Sequence, residues 1–483
     1  MSCTTILVGR KASYDGSTLV ARNEDSGSGE FDPKKFIVVE PSAQPRVYTS
    51  VLSGVTIELP DDPMRYTAMP NADPHEGIWG EAGVNEMNVA MSETETITSN
   101  PRVLGADPLV KNGIGEEDML TIVLPYIRSA REGVLRLGML LEKYGTYEMN
   151  GIGFQDRDEI WWFESIGGHH WMARRVPDDC YVVCPNQLGI DVFDMNDAMG
   201  EKLENLCSED LPDFIRNNHL DVDMDENDGL IGTRSVFGSA SDSDHVYNTP
   251  RAWYMHRYLC PDPSMWDGEG AMYRPDSDDL PWCMVPQKKV TLEDIKYVLS
   301  SHYQGTKYDP YGQYGDLSEA GRFRPIGINR NNFVAVTQLR PYVNDEFMAV
   351  EWIACGSNAF NTMAPFYANV NVTPSYLSDT TTRVTTENFY WANRIIAAMA
   401  DAHFHECHVH VERYENEVMS LGHEHIAKTD MEAEKHLDDI TGFLEEANGA
   451  MAAVLKEHTD RLLGNVLYDA SMCMKNAFSR SDA

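Results

Sequence analysis

Residues 3–25 read CTTILVGRKASYDGSTLVARNED. Two runs in it, Thr4 to Gly9 and Ser17 to Arg22, are short and rich in β-branched or apolar residues, and Tyr14-Asp15-Gly16 supplies turn chemistry between them. The stretch predicts two antiparallel strands at the head of the chain. A chain end ordinarily frays, yet this one opens with Cys3 at a strand head, and the next strand leads into Arg22-Asn23-Glu24-Asp25. A thiol of pKa ~8.5 needs activation to act as a nucleophile at neutral pH. If Met1 and Ser2 are removed, Cys3 acquires an α-amino group of pKa about 7.7–8.0. That base can take the thiol proton, directly or through a water, and later return it to a leaving amine. The chemistry needs a pinned terminus, which a buried strand provides. Arg22 would then favour the thiolate and Asp25 would orient the amine. The blander reading makes Cys3 a small apolar strand residue, with Arg22 and Asp25 a solvated pair.

Working outward, 483 residues suffice for a large α/β core or for two or three smaller ones. The formal net charge of −37 repels phosphate backbones, so neither nucleic acid nor an anionic membrane is expected as a partner. No signal peptide precedes Cys3 and no run approaches eighteen apolar residues, which leads to the expectation of a soluble, cytoplasmic protein. Nine scattered cysteines argue against a disulfide framework. Cys180 and Cys184 share a strand face as packing residues.

Short β-like runs continue through the first third. Glu116 to Tyr144 carries helical spacing, with Pro125 expected to kink or break it. GIGFQDRDEIWWFES, HHWMARRVP and CYVVCPNQ read as strands, as do FVAVTQLRP and EFMAVEWIAC, whereas Asp221 to Gly229 reads as a loop. From about Thr386 the texture turns to two or three helices. The order suggests an α+β layered fold.

At this point the residues resemble a known family. CTTILVGRKASYDGSTLVARNED, GVNEMNVAMSETET, IWWFESIGGHHWMARRVPDDCYVVCPNQLGID, HVYNTPRAWYMHRYL and CGSNAFNTMAPFYANV look, in order, like blocks of the C69 peptidases, dipeptidases related to the secernins within the N-terminal-nucleophile hydrolases. The resemblance implies an αββα four-layer sandwich with a helical C-terminal part. It implies a propeptide of residues 1–2, a catalytic core over 3–385 and a helical region over 386–483 packed on it. Cys3 would be the nucleophile, with Arg22 and Asp25 beside it. Asn186 would donate to the oxyanion, and Arg251 would be a second active-site arginine. A further oxyanion contributor falls between Glu93 and Glu95. Removing Met1 alone leaves Ser2 blocking the Cys3 amine, so a second cleavage is expected, autocatalytic as in the family. Dipeptides are the implied substrates, a homo-oligomer is expected, and neither cofactor nor metal is.

Other signals carry less. His403, Cys407 and His410 would share a helix face as a partial zinc site, but HExxH fails at Val409 and again at Ala427. Residues 221–229 miss the EF-hand glycine, Glu226 standing in its place. His169-His170 could approach the substrate or be structural. No GxSxG elbow, phosphate loop or dinucleotide turn occurs. Two rivals remain: an acylase of the penicillin V acylase or bile-salt hydrolase type, and a non-catalytic secernin-like regulator.

Overall fold

The opening strand pair is β1 (Ser2–Val8) and β2 (Thr18–Asp25), antiparallel, with Cys3 opposite Glu24, Thr5 opposite Arg22 and Leu7 opposite Val20. Asp15 shapes the connection by accepting from the Ser17 backbone N–H at 3.0 Å and its hydroxyl at 2.9 Å, and Gly16 supplies the left-handed φ of 88°. The second strand outruns its apolar pattern by three residues. Asn23, Glu24 and Asp25 are polar yet fully buried, held there by strand neighbours on both sides.

This computed structural model describes residues 2–27, 30–95, 97–224, 229–313 and 315–476, the side chains of Ser2, Thr94 and Glu95 excepted. After β2 come β3 (Ala82–Val84) and β4 (Ala90–Glu95), then α1 (Glu116–Val123). A 3-10 turn over Leu124–Tyr126 holds Pro125 and separates α1 from α2 (Ala130–Tyr144), which is the break its missing N–H demands. A meander follows, β5 (Asn150–Gln155), β6 (Ile160–Ile166) and β7 (His170–Arg175), then β8 (Tyr181–Cys184) and β9 (Asn205–Cys207). The chain continues through α3 (Thr249–Leu259), β10 (Cys283–Met284), α4 (Leu292–Leu299), β11 (Asn331–Leu339), β12 (Ala349–Cys355) and β13 (Ala364–Tyr367). Three helices close it: α5 (Phe389–Ala402), α6 (Phe404–Ala433) and α7 (Ile440–Met472).

The strands form two antiparallel sheets, ordered β10-β8-β1-β2-β11-β12-β13 and β9-β7-β6-β5-β4-β3. They stack where β4 and β5 cross β1 and β2. Side-chain alternation then divides β1. Leu7 joins Val20, Trp162 and Ile160 between the sheets, whereas Ile6 and Val8 join Trp253, Ile295 and Leu299 under α3 and α4. On the outer face of the second sheet α1 and α2 pack through Leu120, Val134 and Leu137. Helices α6 and α7 lie against each other and close the β13 edge, which would otherwise present unpaired backbone. The result is a mixed α+β architecture with antiparallel sheets between helical layers and a helical C-terminal part. All nine cysteines are free thiols. No helix among the described residues is long and apolar enough to cross a membrane.

One buried acid in the sheet has a measurable consequence. Glu351 in β12 is fully buried, and burial pushes its pKa up to about 8 against a smaller opposing contribution from Thr67. A carboxyl that binds its proton more tightly when folded contributes stability that is fully present below about pH 4.5 and lost as pH rises through about 8. Glu351→Gln keeps the shape without the titration. Its thermal midpoint should match wild type near pH 5 and exceed it at pH 8.5, by a stabilisation of about 2–4 kcal/mol. An offset independent of pH would show that Glu351 does not titrate in this way.

Candidate active site

Strand register decides what meets the Cys3 thiol. Arg22 lies on the same face of the sheet, one residue pair along, so its long side chain reaches back to the sulfur. Its Nη2 stands 2.8 Å from Cys3 Sγ and 2.7 Å from Glu116 Oε1, and its Nη1 pairs with Glu81 Oε2. Glu116 opens α1, where the helix dipole favours a carboxylate, and its own N–H donates to Glu148 Oε1 at 2.8 Å. Glu81 sits in the turn before β3 at a φ of 68°, a conformation costing about 1–3 kcal/mol for a residue with a side chain. Lys34 extends the chain of charges, 3.3 Å from Glu81 Oε1 and 2.9 Å from Glu24 Oε2. Cys3, Arg22, Glu24, Lys34, Glu81 and Glu116 are fully buried, and Glu148 is half-buried.

Burial dominates the electrostatics. It pushes the Cys3 thiol up to about 12 despite the adjacent Arg22, so in a chain that still carries Ser2 the sulfur is a thiol. Burial works against the Arg22 charge, but Cys3, Glu81 and Glu116 outweigh it and hold the guanidinium well above its usual value. Glu116 is raised well above the carboxylate range by burial and by Glu81. Glu24 rises to about 7 for the same two reasons, with Lys34 opposing.

The backbone of Cys3 faces different groups. Strand β8 pairs with β1, so the loop after Cys184 delivers Asn186 to the strand head, where its Oδ1 accepts from the Cys3 N–H at 3.2 Å. Arg251, in the first turn of α3, donates from Nη1 to the Cys3 carbonyl at 2.6 Å and to Thr4 Oγ1 at 2.8 Å. Its Nη2 donates to Asn186 Oδ1 at 2.7 Å and to Asn248 Oδ1 at 2.6 Å. Burial lowers the Arg251 pKa to about 10.

Four of the five residues read from the sequence thus converge: Cys3, Arg22, Asn186 and Arg251. Asp25 stands opposite Ser2, on the strand face away from the Cys3 side chain, and its carboxylate is bonded to Arg324 and Asn331. Arg324 had no signal in the sequence. It stacks on the Tyr247 ring at 5.0 Å, as Arg251 does at 5.3 Å, while Arg330 donates to the Tyr247 hydroxyl at 3.1 Å. Burial and the neighbouring Arg330 lower the Arg324 pKa to about 9. Glu81, Glu93 and Glu116 were missed as a group because three separate segments bring them together. Each offers an oxygen within 4.8 Å of the others'.

The remaining sequence signals lie elsewhere. His169 and His170 each place Nδ1 2.8 Å from Asp107, and His170 stacks on Phe214, a structural cluster. Cys407 is buried in the core and His410 pairs with Asp469 at 3.1 Å. The metal-capable group near them is instead His403, Glu406 and Cys473. Within the acidic segment Asp221–Gly229, residues 225–228 lie outside the described residues, as do the side chains of Thr94 and Glu95.

The chain is similar to known proteins along its length. The sequence model of Peptidase family C69 matches residues 2–417. A dipeptidase of Bifidobacterium longum (strain NCC 2705) is 56% identical, with 100% of both chains covered. A probable dipeptidase A of Streptococcus pyogenes serotype M3 is 53% identical, again over 100% of both, and dipeptidase A of Lactobacillus helveticus is 44% identical over 96% of each.

Proposed function

The chain belongs to peptidase family C69 and is an enzyme, and from that premise we propose a cysteine dipeptidase whose nucleophile, Cys3, is uncovered by loss of Met1 and Ser2. The observation that carries this reading is the division of labour around one residue: Arg22 on the sulfur, Asn186 and Arg251 on the backbone N–H and carbonyl.

In the mature chain the Cys3 nitrogen becomes an amine still held by Asn186 Oδ1. That contact turns its lone pair to the thiol, whose proton it takes as the sulfur attacks the scissile carbonyl. Arg22 stabilises the developing thiolate. Asn186 donates to the oxyanion together with a backbone N–H, and one such donor is worth about a hundred- to a thousandfold in rate. The amine returns its proton to the leaving nitrogen, the C-terminal amino acid departs, and water hydrolyses the thioester. Asp25 acts at one remove, fixing Arg324. Arg324 and Arg330 receive the carboxylate of the leaving residue, a group that suits guanidinium forks.

Cys3, Arg22, Glu116 and Arg251 are all fully buried while Ser2 heads β1, and on this reading the chain with Ser2 attached is a closed precursor. Intact-mass measurement of purified protein should therefore show loss of both Met1 and Ser2. The mature species should cleave Ala-Ala and leave Ala-Ala-Ala and N-acyl amino acids slower by about a hundredfold or more, because their extended or capped ends leave buried charges unmatched. Faster cleavage of N-acyl amino acids would favour an acylase. Dipeptide cleavage by protein that retains Ser2 would remove the α-amine as the base.

A further inference from the structure

Three carboxyls beside the nucleophile share too few cations. Arg22 pairs with Glu81 and Glu116, and Lys34 with Glu81 and Glu24. Glu93, from β4, is fully buried, and among the described residues neither of its oxygens has a hydrogen-bond partner. An orphaned buried polar group costs about 1–3 kcal/mol, and more if charged. Burial, then Glu81 and Glu116, raise the Glu93 pKa well above the carboxylate range, so it waits as a neutral acid. Its strand partner Ile152 lies in the cluster under α1 and α2, so Glu93 points to the helical side of the sheet, where a glutamine or methionine would fill the space without that cost.

We propose that Glu93, backed by Glu81 and Glu116, receives the free α-ammonium group of the substrate. The inference rests on the dipeptidase reading and adds the group that restricts the enzyme to unblocked peptides. Reach supports it. In a dipeptide the ammonium nitrogen and the scissile carbonyl carbon flank one Cα, about 2.5 Å apart. A carboxyl that binds it must therefore lie within a few ångströms of the sulfur. Arg22 Nη2 is 2.8 Å from Sγ and 2.7 Å from Glu116 Oε1, so that oxygen is no farther from the sulfur than those spans laid end to end. An oxygen of Glu93 lies within 4.8 Å of the Glu81 and Glu116 oxygens. The Cys3 nitrogen is turned to Asn186 and does not fill the gap. A divalent ion fits poorly, since it would stand against the Arg22 guanidinium. An arriving ammonium instead supplies the missing cation and lets Glu93 ionise. The substrate is then held at both charged ends, by the carboxyls gathered at the start of α1 and by Arg324 and Arg330 on the other side of β1.

The test compares Ala-Ala with propionyl-Ala, which has the same shape without the ammonium group, on wild type and Glu93→Gln, both checked for loss of Met1 and Ser2. Wild type should prefer Ala-Ala by about a thousandfold or more in kcat/KM. In Glu93→Gln the KM for Ala-Ala should rise at least about thirtyfold and the preference should collapse, with Glu93→Asp restoring part of both. A Glu93→Gln enzyme that keeps the wild-type KM and preference overturns the inference and leaves the dipeptidase reading standing. Wild type that cleaves propionyl-Ala faster than Ala-Ala removes the dipeptidase reading itself. Should neither variant mature, wild type decides alone: a preference below about tenfold is incompatible with a buried ammonium site.

Discussion

Cys3→Ala should leave Ser2 at the N-terminus of the purified protein and lower kcat on dipeptides by about a millionfold, the cost of removing a nucleophile outright. Both effects come from one atom. The sulfur is the group that Arg22 approaches at 2.8 Å, and the same sulfur is the available attacker on the bond ahead of it during maturation. The fold should tolerate the change. Cys3 is fully buried, but losing one sulfur leaves a small void costing about 1 kcal/mol, and Arg22 keeps Glu81 and Glu116 as partners. Circular dichroism and the thermal midpoint check this, so a dead enzyme cannot be mistaken for an unfolded one. Cys3→Ser sharpens the result, because a hydroxyl can still attack slowly while the thioester route is closed. If Cys3→Ala loses Ser2 normally, maturation is the work of another protease. If it also keeps dipeptidase activity, the nucleophile lies elsewhere.

Much of this was legible in the opening residues because β1 and β2 are adjacent in sequence. A short turn fixes their register, and register places Arg22 beside Cys3. Asn186 and Arg251 were legible through block resemblance, and their approach to the Cys3 backbone follows from β8 pairing with β1 and α3 covering it. The side of the strand that Asp25 occupies was harder to read. The strand read from the sequence spans Ser17 to Arg22, whereas β11 pairs with Asn23 to Asp25 and carries the strand on, so alternation turns Asp25 away from the sulfur. Arg324 and the carboxyl group of Glu81, Glu93 and Glu116 were beyond sequence reasoning. Glu116 reads as ordinary helix-start acid, and Glu93 as one polar residue in a polar run. Only the packing of β4 over β1 and β2 makes them neighbours.

On the proposed mechanism stability and catalysis depend on the same Arg22 guanidinium, and its replacement should be the most damaging change outside Cys3. Breaking a buried ion pair from one side costs about 3–5 kcal/mol, because the stranded charge remains. Here Glu116 is stranded outright and Glu81 is left with Lys34 alone, with Glu93 alongside. Arg22→Met should accordingly lose at least that much of a total commonly about 5–15 kcal/mol. The loss should depend on pH in a fixed direction. Burial and Glu81 already raise Glu116 well above its unfolded value, and removing the guanidinium raises it further. Such a group supports the fold while protonated and ceases to as pH rises through its folded pKa. Arg22→Met should therefore melt nearer to wild type at pH 5 than at pH 8.5. Arg22→Lys separates the two roles. An ammonium restores one positive charge but cannot span Sγ, Glu81 and Glu116 as a fork does. It should recover most of the stability while kcat stays down by about a hundredfold. If Arg22→Met melts with wild type at both pH values, the carboxyls do not depend on this guanidinium. If Arg22→Lys restores full kcat, a single positive charge near the sulfur is all the chemistry requires, and the bidentate geometry matters only to folding.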